Sequence, residues 1–198
     1  MYSYLQIGQR AVSSYHACLI LAFVVGALLL ARTPPEGFSS DKLHIQFSVI
    51  IPVFLLALFG AKFFSLVLDE GSWSFRNFLL WRGGYYYHGG LVGGVLGYVL
   101  YLRWTGSRIF DGLDWMSPFA ALGEAIARVG CFLAGCCYGK TSGVLTAVVY
   151  PAHSPVWSKQ VTSGLLDHSA SASLPVHPAP LYTSFAMIAL FLFLRILQ

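Results

Sequence analysis

IQFSVIIPVFLLALFGAKFFSLVL, residues 45–68, decides the fold class. A single charge, Lys62, interrupts it. At ~1.5 Å rise per residue such a run is long enough to cross a hydrocarbon core about 30 Å thick. Outward from it, residues 13–31 are almost wholly apolar and residues 85–104 are apolar and rich in glycine. Residues 115–137 are apolar apart from Glu124 and Arg128, and residues 181–197 are barely long enough to span. Together these predict an all-α, polytopic integral membrane helical bundle of about five spans, with residues 1–198 as one transmembrane domain.

The connections are of three kinds. Residues 32–42, with Pro34-Pro35-Glu36-Gly37, read as a loop. In residues 69–84, Trp73, Phe75, Phe78, Leu79 and Trp81 alternate with Ser, Arg and Asn, a pattern suited to a segment lying at the interface. Residues 138–178 are polar, Ser/Thr-rich and too long for a tight turn, so they are expected to form an extramembrane excursion.

Composition agrees. Of 198 residues, 57% are hydrophobic and 10% charged, against roughly a quarter charged in soluble domains. So few charges cannot cover a globular surface, and lipid must do part of the covering. The net charge of +4 comes from scattered Lys and Arg, which excludes the clustered footprint of a nucleic-acid binder. A cleaved signal peptide at the start is disfavoured by the length of the first apolar run and by Tyr15-His16 inside it. Lys and Arg divide evenly between the two sets of loops, so the positive-inside rule does not choose an orientation.

Charged side chains within a span cost at least ~2.5–3.5 kcal/mol on insertion scales and call for a reason. Glu124 and Arg128 are four apart, on one helix face, and able to pair. Arg128 opens the run Arg-Val-Gly-Cys-Phe-Leu-Ala-Gly-Cys-Cys-Tyr-Gly-Lys. On a helix that continued that far, Gly135 and Gly139 would fall within about 20° of it. One guanidinium beside two bare backbones can admit a phosphate, whose oxygens the forked donors engage in pairs. In the third span, His88 precedes Gly89 and Gly90, with Gly93, Gly94 and Gly97 beyond. Such glycine density permits close helix packing, while His88 can exchange a proton near pH 7.

Cys18, Cys131, Cys136 and Cys137 lie in apolar stretches, which argues against a disulfide framework. They read as buried small residues, with a thiol-redox role for Cys136 and Cys137 as the alternative. On a regular helix Cys131 and Cys136 point roughly 140° apart, disfavouring a shared metal unless the helix breaks at Gly135. Neither a metal nor a cofactor is expected.

His88-Gly89-Gly90-Leu91 in a glycine-rich third span, Asp114-x-x-x-Pro118, and an intramembrane signature bearing Arg and Gly resemble the prolipoprotein diacylglyceryl transferase family. His177-Pro178-Ala179-Pro180-Leu181-Tyr182 is similar to its His-Pro-x-x-Leu-Tyr-Glu element, and Tyr15 to a tyrosine of its first span. Lys62, after Gly60, falls where the family often has Gly-x-Arg.

The resemblance implies a multi-pass enzyme of the bacterial cytoplasmic (inner) membrane. Such an enzyme moves diacylglycerol from phosphatidylglycerol, or another anionic phospholipid, to a lipobox cysteine of a prolipoprotein. It implies catalytic roles for His88 and Arg128. It implies substrate binding by Tyr15, Gly89, Gly90, Cys131, Gly139, His177 and Tyr182. Departures are Cys131 in place of Asn, Cys136 in place of Glu, Val176 in place of Arg, and Thr183 in place of Glu. The sequence also ends at Gln198, before two further spans of the family pattern, as a divergent or C-terminally short member would. A phospholipid-binding protein without turnover is the non-enzymatic alternative, and Cys131 is the residue that distinguishes it.

Overall fold

The computed structural model describes residues 4–7, 10–32, 42–68 and 86–198. The expected loop at 32–42, apart from its two end residues, and the expected interfacial segment at 69–84 lie outside these. The described residues form a short hairpin and six helices. The hairpin pairs β1 (Tyr4–Ile7) with β2 (Arg10–Ser13) in the register Tyr4↔Ser13 to Ile7↔Arg10. The helices are α1 (Ser14–Arg32), α2 (Lys42–Leu68), α3 (Tyr87–Trp104), α4 (Ile109–Ala134), α5 (Pro155–Thr162) and α6 (Ala179–Leu197). Each expected span overlaps a helix, the fourth helix stopping at Ala134, short of the expected end at 137. Val49–Leu68, Ile109–Ala134 and Ala179–Leu197 are long and apolar enough to cross a membrane, and Ser14–Leu30 is a shorter apolar helix. The protein is thus a helical membrane protein that passes the bilayer more than once.

The chain divides into two compact units, Ala31–Trp115 and Met1–Leu30 with Met116–Gln198. In the first, α2 and α3 approach backbone to backbone. A methyl group on Gly89 would strike the Gly60 carbonyl, one on Gly93 the Leu56 carbonyl, and one on Gly97 the Val53 and Leu56 atoms at 3.1 Å. These glycines recur every fourth residue, so one stripe of α3 is bare and buried. Leu91, Val92, Val95, Leu96 and Leu100 are exposed on the same helix, as suits contact with acyl chains. Lys62 is buried completely, so protein rather than lipid surrounds the one charge of the deciding stretch. Gly106, at φ 71°, ends α3, with Ser107 N–H donating to Leu102 O (2.9 Å) and Gly106 N–H to Arg103 O (3.2 Å). The Tyr98 hydroxyl then donates to Gly112 O (2.9 Å), tying α3 to the start of α4.

In the second unit, the Ser184 hydroxyl donates to Ala125 O (2.9 Å) and the Arg195 guanidinium lies 5.9 Å from the Phe119 ring centre, so α6 is fixed to α4 at two heights. Residues 138–178 build a small core of their own from Tyr150, Val156 and Val176, flanked by Tyr138 and Val148. Ser154 caps α5 by accepting from Trp157 N–H (3.3 Å), and Pro155 at the first position is preset for the helix. Gln160 clamps Leu174, accepting from its N–H (2.8 Å) and donating to its carbonyl (3.4 Å). Both ends of this arm meet where Gly139 N–H donates to His177 O (2.9 Å) and His177 N–H to Lys140 O (3.0 Å).

Tyr150 gives the arm a measurable signature. Its hydroxyl donates to Phe132 O (2.9 Å), and burial pushes the phenol up to about 12, with Cys136 a lesser cause. A proton held more tightly in the folded state leaves stability level below the unfolded tyrosine value of about 10. Stability then falls as pH rises from there toward 12. Alkaline unfolding followed by tyrosinate absorbance should show this loss, and Tyr150→Phe should flatten it. An unchanged profile in Tyr150→Phe would refute the assignment.

Candidate functional site

Arg128 and Glu124 lie half-buried on one face of α4, the Arg128 Nε donating to Glu124 Oε1 at 2.6 Å. The i, i+4 spacing delivers this pair, and the ion pair makes it tolerable in an apolar helix. Two residues on, Gly130 packs against α1, where an added methyl would meet Cys18 Cβ at 2.8 Å and the Tyr15 Cα at 3.3 Å. Tyr15 is therefore brought beside α4, half-buried, with its ring edge-on to His16 at 5.6 Å.

The helix does not continue to Gly139. It stops at Ala134, where Gly135 turns left-handed (φ 75°), Cys136 N–H donates to Cys131 O (3.0 Å) and Gly135 N–H to Phe132 O (3.3 Å). This double bond to the last turn is a glycine helix stop. The expected face shared by Arg128, Gly135 and Gly139 consequently does not form. Gly135 is bare because it must be left-handed and because the Tyr150 ring lies 3.0 Å from where its Cβ would be. Gly139 is bare because the backbone and Cβ of His177 cross it.

The break also changes the cysteines. Their sulfurs, expected to diverge on a regular helix, all lie within 4.8 Å of one another at Cys131, Cys136 and Cys137. Cys131 is buried, Cys136 half-buried and Cys137 exposed. Gly135 directly before a Cys-Cys pair was the signal for this.

The other site residues fall in two places. At the start of α6, His177 Nδ1 and Tyr182 Oη lie 3.3 Å apart, and Tyr182 Oη lies 3.2 Å from Thr146 Oγ1 of the arm. The Thr146 contact is one that sequence reasoning missed, since nothing marks a threonine 36 residues away. His88, Gly89 and Gly90 belong to the other unit, Ala31–Trp115. His88 is exposed at the second position of α3, edge-on to Tyr87 at 5.6 Å. Gly89 is consumed by packing on Gly60, whereas Gly90 has ordinary room for a methyl, with Ala61 Cβ at 3.5 Å.

Fold and site define a polytopic helical membrane protein with an embedded ion pair on its fourth helix and histidine–tyrosine contacts at the start of its sixth. A family profile described as "Prolipoprotein diacylglyceryl transferase" matches residues 3–198. The chain belongs to this family. It is 28% identical over 190 residues to the phosphatidylglycerol–prolipoprotein diacylglyceryl transferase 2 of Clostridium perfringens, covering 92% of this chain and 66% of that protein. To the phosphatidylglycerol–prolipoprotein diacylglyceryl transferase of Clostridium tetani it is 27% identical over 176 residues, 87% of this chain and 64% of the relative. The Teredinibacter turnerae protein of that name is 33% identical over 135 residues, 67% of this chain and 46% of its own length. The chain thus spans just under two thirds of the two clostridial relatives.

Proposed function

We propose that this protein transfers a diacylglyceryl group from phosphatidylglycerol to the lipobox cysteine thiol of a prolipoprotein, in the bacterial inner membrane, with α1 and α3 counted among its spans. The observation that carries this reading is the family match over residues 3–198, with Arg128 and its Glu124 partner embedded in a spanning helix. Arg128 holds the lipid phosphate. Glu124 fixes the guanidinium plane through Nε, and the terminal amino groups suit two phosphate oxygens. His88 takes the acceptor's thiol proton, because a thiol of pKa ~8.5 is a weak nucleophile until ionised. The thiolate sulfur bonds to the glyceryl carbon. The carbon–oxygen bond to phosphate breaks, and glycerol phosphate leaves with the electron pair. Arg128 stabilises the charge gained there. The family resemblance assigns substrate contacts to Tyr15, Gly89, Gly90, Cys131, Gly139, His177 and Tyr182.

Residues 138–178 are read as an arm outside the bilayer that covers the site. Its own core, and ends tied together at Gly139 and His177, support this. Protease added to oriented vesicles should cut the arm from one side only, and protection from both sides would overturn the reading.

The deciding assay is transfer of a labelled diacylglyceryl group from phosphatidylglycerol to a lipobox peptide, beside lipid binding by the same preparation. Transfer is the expected result. Lipid binding with no transfer would favour the non-enzymatic alternative that Cys131 raises.

A further inference from the structure

Two left-handed residues in close succession, Gly135 (φ 75°) and Cys137 (φ 55°), fold the chain back beneath the last turn of α4. Glycine adopts that conformation freely. For Cys137 it is a local strain of the kind that gathers at functional positions. The result is that adjacent cysteines, whose side chains would diverge by about 100° on a helix, both turn toward Cys131. All three sulfurs come within 4.8 Å of one another. Cys18, on α1, is not part of this group. Cys136 Sγ already leans on the Cys131 carbonyl at 3.6 Å.

We propose that Cys131, Cys136 and Cys137 form a three-thiolate site for one soft d10 metal cation, Zn(II) or Cu(I). Zn–S bonds of ≈ 2.3 Å at tetrahedral angles require sulfurs about 3.8 Å apart. The observed spread exceeds that by at most about 1 Å. Three sulfurs suffice for a trigonal Cu(I) and leave one position open on a tetrahedral Zn(II). Each thiol gives its proton to solvent on binding, so three metal–sulfur bonds form as three protons leave, with no change of oxidation state. No other set of three or more histidines, cysteines or carboxylates among the described residues gathers at ligand distance.

The test uses the full chain in detergent, reduced, purified without a histidine tag. Zn(II) and Cu(I) are each titrated against a coloured chelator. One equivalent of at least one of them should bind per chain. Cys131→Ser, Cys136→Ser and Cys137→Ser should each weaken binding about tenfold or more, and the triple variant should abolish it. Cys18→Ser should bind as the wild type does. Maleimide labelling of the wild type gives a readout that needs no variant: metal should protect three thiols and leave one. The site is refuted if neither metal binds the reduced wild type, or if binding or protection survives in the triple variant. These readouts do not depend on transferase activity, so the site and the proposed reaction stand or fall separately.

Discussion

Arg128→Ala should lose both anionic-lipid binding and transfer. Charge-assisted hydrogen bonds contribute about 1.5–3 kcal/mol each, so removing two from a phosphate weakens binding on the order of a hundredfold or more. The substitution also takes an ion-pair partner from Glu124, half-buried in α4, and part of the effect will be on stability. Arg128→Lys separates the two, because it keeps the charge beside Glu124 but lacks the planar fork. Partial recovery of binding is expected from it. His88→Gln should behave otherwise, with binding kept and transfer down by roughly 10²–10⁴-fold, the usual contribution of a general base. Phosphatidylglycerol binding and labelled-group transfer, measured on the same variants, distinguish these outcomes. Full transfer by His88→Gln would remove it as the base, and wild-type lipid binding by Arg128→Ala would remove the phosphate site.

The second large effect is steric. Gly93→Ala should drive α2 and α3 apart, since the new methyl would meet the Leu56 carbonyl and the Ala57 Cα at 3.3 Å, both main-chain atoms that cannot rotate away. Overpacking of this kind costs about 1–3 kcal/mol even where side chains give, and more where backbone must move. Its neighbour provides the control. At Gly94 the nearest atom is the Ala57 Cβ at 3.6 Å, so Gly94→Ala should be neutral or stabilising by roughly 0.5–1 kcal/mol through helix propensity. Unfolding in mixed micelles measures both, and equal effects at the two positions would refute the packing described.

The spans were legible because hydrophobic runs and their lengths are local facts. Residues 45–68 needed no neighbour to be read, and each apolar run became a helix. Glycine density in the third span also announced close packing. Which glycines pack depends on the register with α2, and that is visible only in the contacts of Gly60, Leu56 and Val53. The Glu124–Arg128 pair was legible for the same local reason. The cysteine group and the spacing of Gly135 and Gly139 turn on whether the helix runs past Gly135, a condition the sequence leaves open, and it stops at Ala134. Gly135 was a local sign of that stop, but the Tyr150 ring against it and the His177 backbone against Gly139 are long-range facts. Thr146 meeting Tyr182 is of the same kind.

Gly139 and His177 are bonded to each other although 38 positions separate them in the sequence. For the helices on either side, the intervening chain therefore has almost no length. An insertion between them alters the closure entropy by only about 0.6 kcal/mol per doubling of the segment. It leaves untouched the distance that α4 and α6 must respect. This stretch is accordingly the natural place for graft or exchange. An arm cut from a relative at these two positions could be spliced onto this bundle without changing that distance.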